Sequence, residues 1–483
     1  MTLSLQPAKP VPPGTRRALV VATALLAAIG GALPAAHAEP SAPSGLRQDF
    51  NGDGYQDLAV AAPDGAVNGV HQAGYVAVLY GGANGLNAGS RKVYTQASTG
   101  VPGAPEAYDH FGSRLTVADL DGDGFTDLVV EASGESWVQG GNARNGNHTV
   151  LWGGPGGFTS GKVLPAVGSG SWQAGKFAAG DFNGDGHQDL AGFGPVRFGP
   201  FGRDGVPAST QSGAPLIDGD MYELATVAGD TDGDGITDLV TMSRAYDWDD
   251  DHEYGYYLNY VRGSRDGLQP PVILKDGQGE HLDPQNATLA LGDLNGDRRA
   301  DLVMGGHALR IVYGTQSGPA AAAPQVITQD TPGVPGVQES TDDFGAALSV
   351  GDVDGDGYGD VLAGIPHEDF GGLADAGTFA VVPGGANGPT GAGTKVLSQN
   401  SADVPGTAES GDLFGGNVHL VDGNGDGRAE PVVAATEEDA VAGAVWVFRS
   451  GSDGVTAKGS FSFGPRALGM AMPDGSHLGT FPR

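Results

Sequence analysis

The sequence predicts an all-β fold of seven like units closed into a ring, and three observations carry that reading. A nine-residue acidic loop recurs seven times, beginning at Asp49, Asp119, Asp181, Asp230, Asp293, Asp352 and Asp422, at spacings of 49 to 70 residues. Each loop stands between short apolar runs of strand length, and 85 glycines and 31 prolines punctuate a chain without long helical periodicity. A period near 60 residues suits a four-stranded unit with generous loops, and radial closure is a standard way of protecting the edges of such units. The prediction is a seven-bladed β-propeller of four-stranded antiparallel blades.

Within a unit, an aromatic stands eight residues ahead of the loop in four cases, Phe111, Tyr222, Phe344 and Phe414, and glycine follows it in three. An apolar residue stands four ahead, as in Leu115, Phe177, Leu289, Leu348 and Val418, and the even spacing predicts one face of an entering strand. Leu58-Ala59-Val60, Leu128-Val129-Val130, Leu239-Val240 and Val361-Leu362-Ala363 follow the loops as second strands. Third strands end in glycine pairs, Tyr75 to Tyr80 before Gly81-Gly82, Thr149 to Trp152 before Gly153-Gly154 and Thr378 to Val382 before Gly384-Gly385. Fourth strands are shorter, as in Lys92-Val93-Tyr94, Lys162-Val163-Leu164 and Lys395-Val396-Leu397. The first unit lacks an aromatic-Gly strand, and Phe463-Gly464 follows the last. Residues 463–469 are therefore expected to complete the first blade.

The first 38 residues read as a secretory signal peptide: Lys9, Arg16 and Arg17, an apolar core from Ala18 to Ala28, and Ala36-His37-Ala38 before a mature terminus at Glu39. Arg16-Arg17 has a twin-arginine look, but the full motif is longer and export by the general secretory route is expected. No later apolar run approaches the ~18 residues that span a membrane. An exported chain without cysteine has no disulfides, so its stability rests on core burial, metal or both. Removing the leader takes the formal charge from −33 to −36, which makes nucleic acid and anionic membranes poor partners. Of 58 acidic residues, 24 lie in the seven loops.

The loops span 49–57, 119–127, 181–189, 230–238, 293–301, 352–360 and 422–430, and oxygen-only donors at these spacings suit calcium. The first position is the Asp that opens each loop. The third is Asn51, Asp121, Asn183, Asp232, Asn295, Asp354 and Asn424, and the fifth is Asp53, Asp123, Asp185, Asp234, Asp297, Asp356 and Asp426. The ninth is Asp57, Asp127, Asp189, Asp238, Asp301, Asp360 and Glu430. The seventh offers its main-chain carbonyl: Tyr55, Phe125, His187, Ile236, Arg299, Tyr358 and Arg428. Position 12 is Val60, Val130 or Ala363 where an EF-hand places a bidentate Glu, so the loop closes at its ninth residue. Up to seven calcium ions are expected. The loop at Asp293 is expected to hold the weakest, because Arg298 replaces glycine at a position read as left-handed and beside a cation.

Phe344, Gly345 and Leu348, then Asp352 to Asp360, then Pro366, resemble the FG-GAP (VCBS) repeat. The resemblance covers nearly all of the chain after the leader. It implies the propeller found at the N-terminus of integrin alpha subunits and in many secreted bacterial proteins. It further implies calcium loops joining the first two strands of each blade, on the face opposite the ligand-binding surface.

Three linkers repeat Val-Pro-Gly with two acids: Glu106 and Asp109, Glu339 and Asp342, Glu409 and Asp412. They form either an acidic ring on the ligand face or, as favoured here, caps on backbone N–H groups of a tight turn. Tyr246, Trp248, Asp250 and Tyr254 belong to an aromatic and acidic stretch suited to a sugar or a basic protein surface, against the alternative of an ordinary solvated loop. No G-x-S-x-G, H-E-x-x-H or nucleophilic cysteine is present. The function expected is a secreted, monomeric adhesion or recognition module, with structural calcium, for an extracellular protein or glycan. The alternative is an extracellular hydrolase or lyase acting on a polysaccharide or lipid. Catalytic residues are not assigned.

Overall fold

The computed structural model describes residues 48–139, 142–165, 177–192, 194–212, 221–247, 252–285, 287–321, 323–471 and 475–482. The chain divides into Met1–Ala38 and Glu39–Arg483. The expected leader lies outside the described residues.

Seven antiparallel sheets follow one another along the chain, six of them four-stranded with the strands in sequence order across the sheet. Blade 2 is representative: Phe111–Ala118, Asp127–Gln139, Asn142–Trp152 and Ser160–Val163. First strands of successive blades adjoin one another, which makes them the inner wall of the ring. Middle strands are covered by a neighbouring blade on each face, so Leu58–Ala62, Tyr75–Leu79 and Asp360–Ile365 are buried throughout. That is why they read as unbroken apolar runs, as strands covered on both faces do. Outer strands are less buried, as in Arg91–Tyr94, whose two basic residues are exposed, and such charge blunts the rim.

The aromatic-Gly pair enters the strand differently from the even-spacing argument. Gly112 has φ 97° and the pairing shifts between Phe111 and Arg114, a bulge that breaks alternation. Phe344 and Phe414 stand ahead of their strands, Leu348–Gly351 and Asn417–Val421. The packing outcome still holds: Phe111 with Leu115, and Phe414 with Val418, share one core.

Closure also differs in its residues. Phe463 ends the fourth strand of blade 7, Gly454–Phe463, opposite Val445, so it is unavailable to blade 1. The three strands of blade 1 are completed further on, where Thr480 bridges Ala61 and Pro482 reaches Leu115 of blade 2. Gly479 N donates to Ala61 O as Gly415 N donates to Ala434 O in blade 7, so Leu478-Gly479 occupies the Phe-Gly place. One core joins blade 1 (Leu58, Tyr75, Leu79) to blade 7 (Val432, Val445, Phe463) through Leu478 and Phe481.

Leu478 is 0% exposed. Leu478→Ala is expected to cost about 2 to 5 kcal/mol by urea denaturation, whereas the exposed Val337→Ala should stay within about 0.5 kcal/mol.

Candidate metal centres

Six of the acidic loops join the first strand of a blade to the second, the loop at Asp49 leads into the second strand of blade 1, and the loop backbone winds around its first Asp. Asp49 accepts from the N–H groups of Gly52, Asp53 and Gly54 at 2.7, 3.2 and 2.9 Å. Asp422 does the same with Gly425, Asp426 and Gly427. In the loop at Asp293 the sixth residue, Arg298, is held at φ 67° and donates to Asp293, the left-handed conformation expected there.

The ninth residue is the most constrained. Asp57 is fully buried and accepts from Phe50 N at 2.9 Å and, through its other oxygen, from Gly81 N at 2.9 Å. It thereby ties the loop to the turn after the third strand. Asp127, Asp189, Asp238, Asp301 and Asp360 repeat both bonds at 2.8 to 3.1 Å. Glu430 keeps the bond from Gly423 N and takes a second from the Asn424 side chain. Burial pushes these carboxyls up, Asp127 to about 8, Asp238 to about 6, and Asp57, Asp189, Asp301, Asp360 and Glu430 to about 7, against the backbone donors that oppose it.

Oxygen donors converge as a hard cation requires. Carboxylate oxygens of Asp119, Asp121 and Asp127 lie within 4.8 Å of one another, as do those of Asp230, Asp232 and Asp234, of Asp352, Asp354 and Asp356, and of Asp422, Asp426 and Glu430. Among the described residues the loops at Asp49, Asp181 and Asp293 gather no such triple, and each has Asn at its third position. The all-oxygen donor set therefore fits a metal, most completely in those four loops. Arginines partly neutralise loops of both kinds: Arg203 pairs with Asp121 and Asp123, Arg262 with Asp232 and Asp234, Arg299 with Asp297, and Arg428 with Asp426.

The seventh residue, read in the sequence for its carbonyl, has a side-chain role that spacing did not reveal. Phe125 covers Gly52 of the preceding loop, and Ile236, Tyr358, Arg428 and Tyr55 cover Gly184, Gly296, Gly355 and Gly425. A Cβ at Gly52 would overlap the Phe125 ring. The eighth N–H then donates to the first-residue carbonyl of the preceding loop: Thr126 to Asp49, Thr237 to Asp181, Ala300 to Asp230, Gly359 to Asp293, Ala429 to Asp352 and Gln56 to Asp422. Six of the seven loop junctions are bonded in this way on one face, and Phe201 N to Leu120 O at 2.7 Å links blades 2 and 3 at the seventh.

On the other face, the second acid of each linker is a cap and the first supplies the N–H that it caps. Asp109, Asp342 and Asp412 accept from the N–H groups of Glu106, Glu339 and Glu409 at 2.6 to 2.7 Å. Sequence reasoning missed their companions, Gln96 with Glu135, Gln329 with Glu368 and Gln399 with Glu438. Tyr246 and Tyr254 lie near the tip of the hairpin Asp238–Asp247 and His252–Val261, at the end away from the metal loop. Trp248 and Asp250 lie outside the described residues.

The FG-GAP repeat family matches at residues 46–79, 111–151 and 344–382. Integrin alpha pat-2 of Caenorhabditis briggsae is 30% identical over 239 residues, 45% of this chain and 18% of the relative. The Caenorhabditis elegans protein is 30% identical over 180 residues, 33% of this chain and 14% of its own. The chain thus matches under a fifth of the length of these relatives. Among solved structures, an Agrocybe aegerita lectin that recognises non-reducing terminal N-acetylglucosamine covers 87% of this chain and 92% of its own, at 17% identity and a TM-score of 0.51.

Two outcomes are expected. Gly54, at φ 89° with open space around it, should accept Ala for about 1 kcal/mol, while Gly52→Ala should cost roughly two to three times that by denaturant melting. In excess chelator, the raised ninth-residue carboxyls bind more protons folded than unfolded, so their contribution is complete below pH about 4 and lost as pH rises through about 6 to 8. His419, held at about 4 by desolvation, acts with the opposite sign but as one group against seven. The chelated protein should therefore melt higher at pH 5 than at pH 8, read by calorimetry.

Proposed function

Because this chain is an FG-GAP propeller of the integrin-alpha type, we propose that it is an extracellular, calcium-bound recognition module whose loop ring holds the blades together. The observation that carries the reading is the ring itself: seven acidic loops on one face, bonded blade to blade and built of oxygen donors. Calcium supplies there a charge that lets buried carboxylates stay ionised while 6 to 8 oxygens coordinate it. The residues that hold it are those at positions 1, 3, 5 and 9, with the seventh carbonyl. Their packing orients them without help: Asp352 is wrapped by Gly355 and Gly357 N–H groups, and Asp360 is fixed by Val353 and Gly384.

The loop at Asp352 combines Asp at all four positions with no guanidinium paired to its carboxylates among the described residues, so it binds tightest. The loop at Asp293 has Asn295, and Arg299 on Asp297, so it binds weakest. Met1–Ala38 directs export by the general secretory route and is removed before Glu39. The mature chain acts as a monomer, and the face opposite the loops takes a protein or glycan ligand, with Tyr246, Trp248, Asp250 and Tyr254 in contact.

Chelator is expected to lower Tm markedly and calcium to restore it; an unchanged melting curve would remove the structural-calcium reading. In calcium, Asp352→Asn should lower Tm more than Asp293→Asn. Screening the protein on glycans and cell-wall polymers, with and without calcium, tests recognition. Calcium-dependent binding lost in Trp248→Ala with Tyr254→Ala supports the module, and release of product from a polymer overturns it.

A further inference from the structure

Blade 3, like blade 5 with its middle strands of 4 and 4 residues, lacks the long hairpin of blades 2 and 4. Its middle strands, Asp189–Gly192 and Val196–Phe198, have 4 and 3 residues, against 13 and 11 in blade 2 and 10 and 10 in blade 4. Val196 and Phe198 point into the core shared with Leu239 and Val261 of blade 4. Arg197, between them, points the other way, towards blade 2. Its guanidinium lies 4.9 Å from the Phe177 ring, which His148 of blade 2 meets at 4.5 Å.

This arginine is 6% exposed, and among the described residues neither Nε nor Nη1 has a hydrogen-bond partner. Burial pulls its pKa down to about 10, with no carboxylate opposing it among the described residues. Other arginines here are treated differently. Arg114 pairs with Glu131, Arg203 and Arg262 with loop aspartates, and Arg310 donates to the Asp283 and Pro284 carbonyls. An unpaired buried guanidinium is costly by several kcal/mol. In a chain with 58 acidic and 25 basic residues, a carboxylate partner is the commonest thing the sequence could have supplied. Two donors left open at such a place call for an acceptor from outside.

We propose that Arg197 forms the floor of an oxyanion site between blades 2 and 3, which takes a carboxylate or sulfate group either as a free anion or as the acidic substituent of a larger ligand. Charge-assisted N–H bonds to such a group are short and strong, and the Phe177 face holds the guanidinium in place. The site uses none of the metal loops and does not rest on the recognition reading above.

The test uses the mature protein in saturating calcium, so that its outcome is separate from that of the metal ring. Tm is titrated with sodium sulfate, sodium acetate and sodium D-glucuronate against chloride at matched ionic strength, for wild type, Arg197→Met and Arg91→Met. A saturable rise of about 2 °C at ten times Kd is expected for at least one oxyanion in wild type and Arg91→Met. It should be absent in Arg197→Met, which without ligand should melt no lower than wild type. A response to acetate or sulfate identifies a free-anion site, and one confined to glucuronate an acidic sugar. In parallel, the Arg197 Nε–H signal of wild type, labelled with nitrogen-15, should shift on adding the same anion, which needs no variant to fold. A saturable response unchanged in Arg197→Met, or no response and no shift with any of the three, overturns the proposal.

Discussion

The ninth-residue carboxylate is the contact on which the rest of this propeller depends. One of its oxygens fixes the start of the acidic loop and the other fixes the turn after the third strand, so a single side chain joins three segments of a blade. Two backbone donors do not offset the cost of taking that carboxylate out of water, since burial still raises it towards neutrality. A blade built this way requires a proton or a cation beside the carboxylate. The other loop acids stand where a cation would meet that need, which connects an all-oxygen donor set to the folding of a cysteine-free chain.

The loops also do what blade cores alone cannot. A blade packs on its neighbours mainly through apolar contact, which is non-directional and leaves its tilt loosely specified. Hydrogen bonds from the eighth N–H to the preceding loop at six junctions, the bond from Phe201 N to Leu120 O between blades 2 and 3, and seventh side chains seated on preceding glycines give the junctions a fixed register. The bond from Gln56 to Asp422 carries this register across the point where the chain ends meet, as Thr480 does on Ala61. Closure is thus made twice, in the loop ring and in the sheet.

The fold was legible in the sequence because its period was carried by residues with strict spacing. Seven copies of D-x-[DN]-x-D gave blade number, and apolar runs such as Leu128-Val129-Val130 gave the middle strands. The closing strand was misplaced because Phe463-Gly464 imitates the aromatic-Gly signal, while the working pair, Leu478-Gly479, has Leu where Phe is usual. Only the register of Val445 with Phe463 and of Ala61 with Thr480 separates them. The seventh-residue side chains were illegible for a different reason. Tyr55, Phe125, Ile236 and Arg428 range from aromatic to aliphatic to cationic and have in common only enough reach to cover a glycine in the preceding blade, a partner far away in the sequence.

The two faces consequently differ in how far sequence determines them. On the loop face the first and ninth acids of the loops accept from backbone N–H groups and the eighth N–H groups donate to the preceding loop at six junctions, which explains why one grammar repeats there with few departures. The other face carries no such obligation, and its blades vary: long hairpins in blades 2 and 4, capped linkers before blades 2, 6 and 7, and short middle strands in blades 3 and 5. Variation of this kind costs the ring nothing, because the inner strands and loops that align the blades are untouched by it. An unpaired guanidinium can therefore persist at Arg197 without loosening the junction beneath it, where Ala179 and Leu190 of blade 3 pack with Val150 and Trp152 of blade 2. The scaffold separates the residues that hold it together from those on the opposite face, and it is on the second set that this chain departs from its own repeat.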